Sequence, residues 1–148
     1  MPIPDLNADG LLPVGLHDCS LEEIQVRFGA FQDTDRRPKL HERLRELVAA
    51  LHRCGLFEAL LVDGSFVTSK ATPNDVDLIA VLRPGHDFER DLPMSEYALV
   101  SRTLLRRRFG FDIMVAESGS ALYETYVEFF SRVREAPDLR KGSLRLRL

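Results

Sequence analysis

Two aspartates two residues apart, Asp75 and Asp77, open the apolar run Leu78-Ile79-Ala80-Val81-Leu82, and this pairing constrains the chain more than any other feature. The segment reads as a strand. Side chains in a strand alternate, so both carboxylates point one way while Val76, Leu78 and Ala80 point the other. Like charges side by side repel and raise each other's pKa unless a cation lies between them. A divalent metal resolves the conflict, and magnesium in particular takes one or two carboxylates together with substrate phosphate oxygens.

Upstream, the apolar strand Phe57–Val62 runs into Gly64-Ser65. Glycine permits positive φ and close approach of the backbone, and backbone amides with the Ser65 hydroxyl can hold phosphate oxygens. Lys70, in the loop that follows, is a candidate phosphate contact because its ammonium acts as a point charge; a lysine simply in solvent is the alternative. Proline at 73 biases Thr72 to extended geometry, which helps deliver Asp75 into the strand.

Gly64-Ser65, nine intervening residues and Asp75-Val76-Asp77-Leu78 together resemble the signature of the polymerase beta-like nucleotidyltransferases. A looser likeness, carried by PNDVDLIAVL, RRRFGFDIMVA and GSLRLRL, extends over most of the chain to small, stand-alone bacterial nucleotidyltransferase-like domains. The resemblance implies a third carboxylate on a neighbouring strand. Asp112 fits, since Phe111, Ile113 and Val115 would face one side of their strand and Asp112 the other. By resemblance, Asp75 and Asp77 would bind two Mg2+ ions with a nucleoside triphosphate, ATP foremost, and Asp112 would hold the catalytic metal and draw a proton from the attacking hydroxyl. The implied reaction moves a nucleoside monophosphate to a hydroxyl on a partner protein or an RNA, as in the minimal nucleotidyltransferases of toxin–antitoxin pairs. A non-catalytic module that binds nucleotide or neutralises a toxin is the alternative, and incidental acids are a third reading.

A length of 148 residues suits one domain with one core, so the expectation is a single nucleotidyltransferase-like unit: an N-terminal arm and short helix over 1–37, then a catalytic core over 38–148. A formal net charge of −3 gives no global basic character, leaving at most a local patch for nucleic acid. Cys19 and Cys54 have no CxxC spacing and read as buried thiols. No apolar run approaches a membrane span, and MPIPDLNADG lacks the regions of a signal peptide, so a soluble, cytoplasmic protein is expected.

Along the chain, residues 1–15 read as an extended surface arm. Ser20-Leu21-Glu22-Glu23 forms a capping box for a helix that ends near Gly29. Leu40, Leu44, Leu47 and Leu51 predict a helix from Pro38 to Cys54, stopped by Gly55, with His41 and His52 at its surface or boundary. Residues 83–93 are a polar excursion that could shape the nucleotide or acceptor pocket; His86 lies in it. A helix capped by Ser95 then carries Tyr97, Val100, Leu104 and Leu105 and ends in Arg106-Arg107-Arg108, read either as dipole complements or as a contact for triphosphate or RNA. Ser118-Gly119-Ser120 opens a helix buried through Leu122, Tyr126, Phe129, Phe130 and Val133. The alternating tail Gly142–Leu148 predicts an amphipathic strand at a sheet edge. The expected fold is α/β, a mixed sheet of about four or five strands packed with helices in the nucleotidyltransferase manner, its acids on one side.

Overall fold

The computed structural model describes residues 3–148. Five strands form one mixed sheet: β1 (Leu16–Cys19), β2 (Phe57–Asp63), β3 (Asp77–Leu82), β4 (Asp112–Glu117) and β5 (Ser143–Arg147), in spatial order β1-β5-β2-β3-β4. β2 runs antiparallel to both its neighbours, whereas β3–β4 and β1–β5 are parallel. Among the described residues, five α-helices, α1 (Leu21–Arg27), α2 (Arg36–Cys54), α3 (Met94–Val100), α4 (Arg102–Phe109) and α5 (Ala121–Ser131), complete the α/β architecture. Among the described residues, no helix is long and apolar enough to cross a membrane.

The apolar pattern divides the two sheet faces unequally. Val62, Leu78, Ala80, Ile113 and Leu144 face the major core, which α1–α4 close with Ile24, Leu40, Leu44, Leu47, Leu99 and Leu105. On the other face Ala59, Leu61, Ile79 and Val81 meet α5 alone, through Tyr123, Tyr126, Val127 and Phe130. A register shift between Phe57 and Ala59 lets these two residues, two apart, face opposite cores. From Ala59 onward alternation is regular, so the last residue of β2, Asp63, faces the α5 side.

Several local readings are borne out for the expected reason. Ser20 and Glu23 form the capping box of α1, and α2 ends where Gly55 adopts φ 72°. Others change. The arm is not a surface wrap: Ile3 and Leu12 enter the core and β1 joins the sheet. Because β1 covers β5, the C-terminal strand lies inside the sheet rather than at its edge. The second strand begins at Asp77, leaving Asp75 in the loop before it. The arginine-rich helix is two helices, broken at Ser101, whose extended backbone lets its hydroxyl cap Leu104 N; its predecessor starts at Met94, so Ser95 caps nothing. In α5 the buried stripe is rotated from the expected one, and Leu122 and Phe129 stay exposed at 48% and 61%. His41 is buried, its Nε2 donating to the carbonyl of Leu21 at 3.2 Å. Cys19 and Cys54 are half-buried free thiols, and burial pushes Cys19 up to about 12.

Candidate active site

Strand register assembles the acids. β3 and β4 both begin at the end of the sheet where β2 finishes, so Asp77 is the cross-strand partner of Asp63 on one side and of Asp112 on the other. Cross-strand partners share a face. Three aspartates from three adjacent strands therefore stand in one row on the α5 side, and Asp75 joins them from the loop. Alternation in β4 is as expected, with Phe111, Ile113 and Val115 in the major core opposite Asp112.

The turn before the row is built to hold Asp75. Gly64 has φ 88°, and a Cβ there would lie 2.8 Å from the Asp75 carbonyl and 2.9 Å from the Asp77 amide. The close approach that requires glycine is thus to the backbone carrying the acids. Ser65 Oγ donates to Asp75 Oδ1 at 2.5 Å and accepts from the amides of Asn74 (3.1 Å) and Asp75 (3.2 Å). Its own amide lies 3.4 Å from the same carboxylate. Gly64 and Ser65, read from the sequence as a phosphate cradle, here orient a carboxylate.

Beneath the loop lies a residue that sequence reasoning missed. Arg37, buried in the first turn of α2, donates to the carbonyls of Phe28 (3.1 Å), Phe66 (2.6 Å), Thr68 (2.9 Å) and Lys70. Its neighbour Arg36 donates to those of Pro73 (2.8 Å) and Asn74 (3.2 Å). Two consecutive arginines thus fasten the segment that carries Ser65 and Asp75. Lys70 is exposed, its backbone held by Arg37 and Thr68 rather than its ammonium by an acid. Arg106, Arg107 and Arg108 are exposed in the last turn of α4, complementing the helix dipole.

The electrostatics of the row are uneven. Asp63 is 1% exposed, and burial pushes its carboxyl up to about 6, opposed by Lys141, the Gly64 amide and the Ser143 hydroxyl. Lys141 Nζ lies 2.9 Å from Asp63 Oδ1. Asp77 is also pushed up to about 6, first by burial, then by the charge of Asp75 and the hydrogen bond shared with it, then by Asp63. In Asp75 burial acts upward, but the hydrogen bonds from Ser65 and Asp77 outweigh it and the carboxyl is lowered. Two carboxylates close enough to share a proton are the donor set that one hard divalent cation takes in its place. Asp112 is held by Arg102 Nη2 at 3.0 Å. Among the described residues, no three histidine, cysteine, aspartate or glutamate side chains are gathered as a ready-made cage for one ion. The arrangement is a two-carboxylate seat flanked by two acids with protein cations of their own.

The polar excursion after β3 is at the other end of the sheet. Glu117, the last residue of β4, accepts from the amides of Gly85 (2.6 Å) and His86 (3.1 Å), which fixes the excursion there. His86 stacks edge-on against Phe88 and is no base for the acids. A cavity of about 570 Å³ opens at this end, lined by Leu82, Phe88, Arg90, Tyr97, Val100 and Val115 among others.

Comparison with known proteins gives one family. The model of DUF6932, described as a family of unknown function, matches residues 4–147. The chain belongs to this family. No curated protein and no solved structure matches it. The DUF6932 match spans every element of the sheet, including β1 and the acid-bearing strands.

Proposed function

We propose that this DUF6932 protein is a divalent-metal-dependent nucleotidyltransferase, moving a nucleoside monophosphate from a nucleoside triphosphate, ATP foremost, to a hydroxyl. The observation that carries the reading is the alignment of Asp77 with Asp112 across a parallel strand pair, beside a glycine turn that orients Asp75. In the transfer an acceptor oxygen forms a bond to the α phosphorus, the bond to pyrophosphate breaks, and the acceptor's proton goes to a base. Asp75 and Asp77 are the residues to hold the metal, magnesium by the resemblance of the motif. Bound there, it would polarise the phosphate and neutralise charge on attacking and leaving oxygens. Ser65 keeps Asp75 in the one orientation that faces Asp77. Asp112, steered by Arg102 through Oδ1, has Oδ2 to take the acceptor proton.

The acceptor is a side-chain hydroxyl of a partner protein or the end of an RNA, and a toxin–antitoxin pair is the setting the motif resemblance suggests. A second reading, stoichiometric binding without turnover, has an observation of its own: Lys141 and Arg102 already neutralise two of the four acids. Incubation with triphosphates labelled at the α phosphorus, Mg2+, and either total RNA or a candidate partner separates the two. Turnover predicts label on the acceptor that Asp77→Asn reduces by about a hundredfold or more. Absence of label with every nucleotide, together with unchanged partner binding by Asp77→Asn, would favour the binding module.

A further inference from the structure

β4 is the last strand of the sheet, and only one of its sides is paired. Its neighbour β3 is buried from Leu78 to Leu82, whereas Met114 and Val115 of β4 stay half-buried. Among the described residues, no hydrogen bond outside the ladder with β3 uses the backbone of residues 113–116. Alternate amides and carbonyls of the strand therefore form an unpaired outward row. The opposite edge is blunted: β1 has four residues, and Asp18 on it is tied to Arg145 at 2.6 Å. β4 has six, with no proline, lysine or register shift and an uncharged centre, Ile113-Met114-Val115-Ala116. That centre has none of the devices that keep a strand from pairing.

Three properties of the edge bear on its occupant. A row of backbone donors and acceptors is matched by another extended backbone, which a polypeptide offers and a nucleic acid does not. A second copy of the chain fits poorly, since full antiparallel overlap of two β4 strands sets Asp112 opposite Glu117, like charges at both ends of the pair. The edge also joins an acid to a pocket. It starts at Asp112, and on its core side Val115 lines the cavity together with Val100, Tyr97 and Phe88. Asp112 and Val115 face opposite sides of the strand and lie about 10 Å apart along it.

We propose that the outer edge of β4 docks the acceptor protein as an added strand. An extended segment of the acceptor pairs with β4 and sets a serine, threonine or tyrosine hydroxyl beside Asp112. An apolar or aromatic side chain, placed along the segment as Val115 is from Asp112, enters the cavity beside Val115 and Tyr97. The proposal rests on the transfer reading of the acid row, and of its two acceptor classes it selects protein. Asp112 takes the hydroxyl proton as the oxygen bonds to the α phosphorus and the bond to pyrophosphate breaks. Cross-strand neighbours share a face, so the hydroxyl lies on the side of the acid row and the anchoring side chain on the other.

Random peptides of about ten residues, each with one central serine, threonine or tyrosine, are selected on the full chain, and amide hydrogen exchange locates those that bind. Bound peptides should slow exchange at the outward amides of residues 113–116 and carry an apolar residue at the spacing of Asp112 and Val115. Successive residues of a strand direct their amides to opposite sides, so of Met114→Pro and Val115→Pro one removes a ladder amide and the other an outward one. The outward variant should keep the fold and bind peptide about tenfold more weakly. Should both fail to fold, Tyr97→Ser, which lies outside the sheet, should weaken peptides that carry the anchor by about tenfold and leave those without it unchanged. Selected peptides that protect another surface, or none that protect β4, would overturn the docking role, as would β4 amides already protected in a dimer of the free chain. RNA labelled from a triphosphate carrying label at the α phosphorus, with every peptide unlabelled, would overturn it and leave the transfer reading standing. Peptides docked on β4 and never labelled would sustain the docking and count against transfer.

Discussion

The two ends of the sheet differ in how their loops are held. At the end where β3 and β4 begin, the loop from Ser65 to Asp75 is gripped by five arginine–carbonyl hydrogen bonds, three made by Arg37 and two by Arg36, and by the Ser65 hydroxyl. At the end where they finish, the excursion over 83–93 is pinned by Glu117 and the Arg83 amide, and it leaves Phe88 67% exposed beside the cavity there. Cavity size would direct attention to the second end. The first end has convergent acids and a rigid support, and chemistry needs positions fixed to a fraction of an ångström more than it needs volume. The proposed phosphoryl transfer at an open, charged edge would require no deep pocket, because metal and carboxylates would carry the recognition.

The sharpest way to break this comparison is at Gly64. Valine there meets backbone at 2.8 Å in a left-handed conformation, so the acid turn cannot close. A stability loss of about 4 kcal/mol or more is expected by urea denaturation, or no folded product. Next, Arg37→Met leaves four carbonyls without their donor and should lower stability by about 3 kcal/mol, with metal binding weakened even where the fold survives. A glutamine replacing Glu117, which undoes only the anchor of the far loop, should lower stability by about 1 kcal/mol or less and leave nucleotidyl transfer unchanged. Equal loss of activity from both ends would remove the distinction.

Proton linkage gives a smaller effect with a characteristic sign. Asp63 and Asp77 carry folded-state pKa values raised to about 6 from 3.8, so the native state binds their protons more tightly than the unfolded chain. Between about pH 6 and pH 4 the folded form therefore holds more protons, and the contribution of these groups to stability rises as pH falls through that window. About 1 kcal/mol is expected from thermal melts at pH 7.5 and 5, Asp77 counting for less because water screens it. Metal affinity should move oppositely, falling below about pH 6, since a ligating carboxylate must lose its proton. Stability and Mn2+ binding that fall together on acidification would contradict the assignment.

Much of this was legible in the chain, for identifiable reasons. Asp77 and Asp112 stood out because each interrupts an apolar run, and Asp75 because it lies two residues before Asp77 and follows the Gly64-Ser65 turn at the motif's spacing; short-range alternation also decides which face a strand residue takes. Asp63 obeys the same rule, sharing the face of Leu61, but as the last residue of an apolar strand it reads as a terminus rather than as part of a row. Only the pairing of β2 with β3 reveals it. Lys141 and Arg37 were illegible for a stronger reason: each acts on groups far off in sequence, Lys141 on Asp63 and Arg37 on Phe66, Thr68 and Lys70. β1 carries no alternation, its four residues all half-buried, and exists as a strand only because β5 offers it a partner. The break at Ser101 shows a local hydrogen bond prevailing over a continuous apolar periodicity.

The most direct test of the account is anomalous diffraction from crystals of the full chain grown with Mn2+ and a triphosphate analogue that cannot be cleaved at the α phosphorus. The account predicts a strong peak coordinated by Asp75 and Asp77, with the triphosphate over it. A peak elsewhere, or nucleotide seated in the cavity beside Phe88 and Tyr97 with the acids bare, would contradict it.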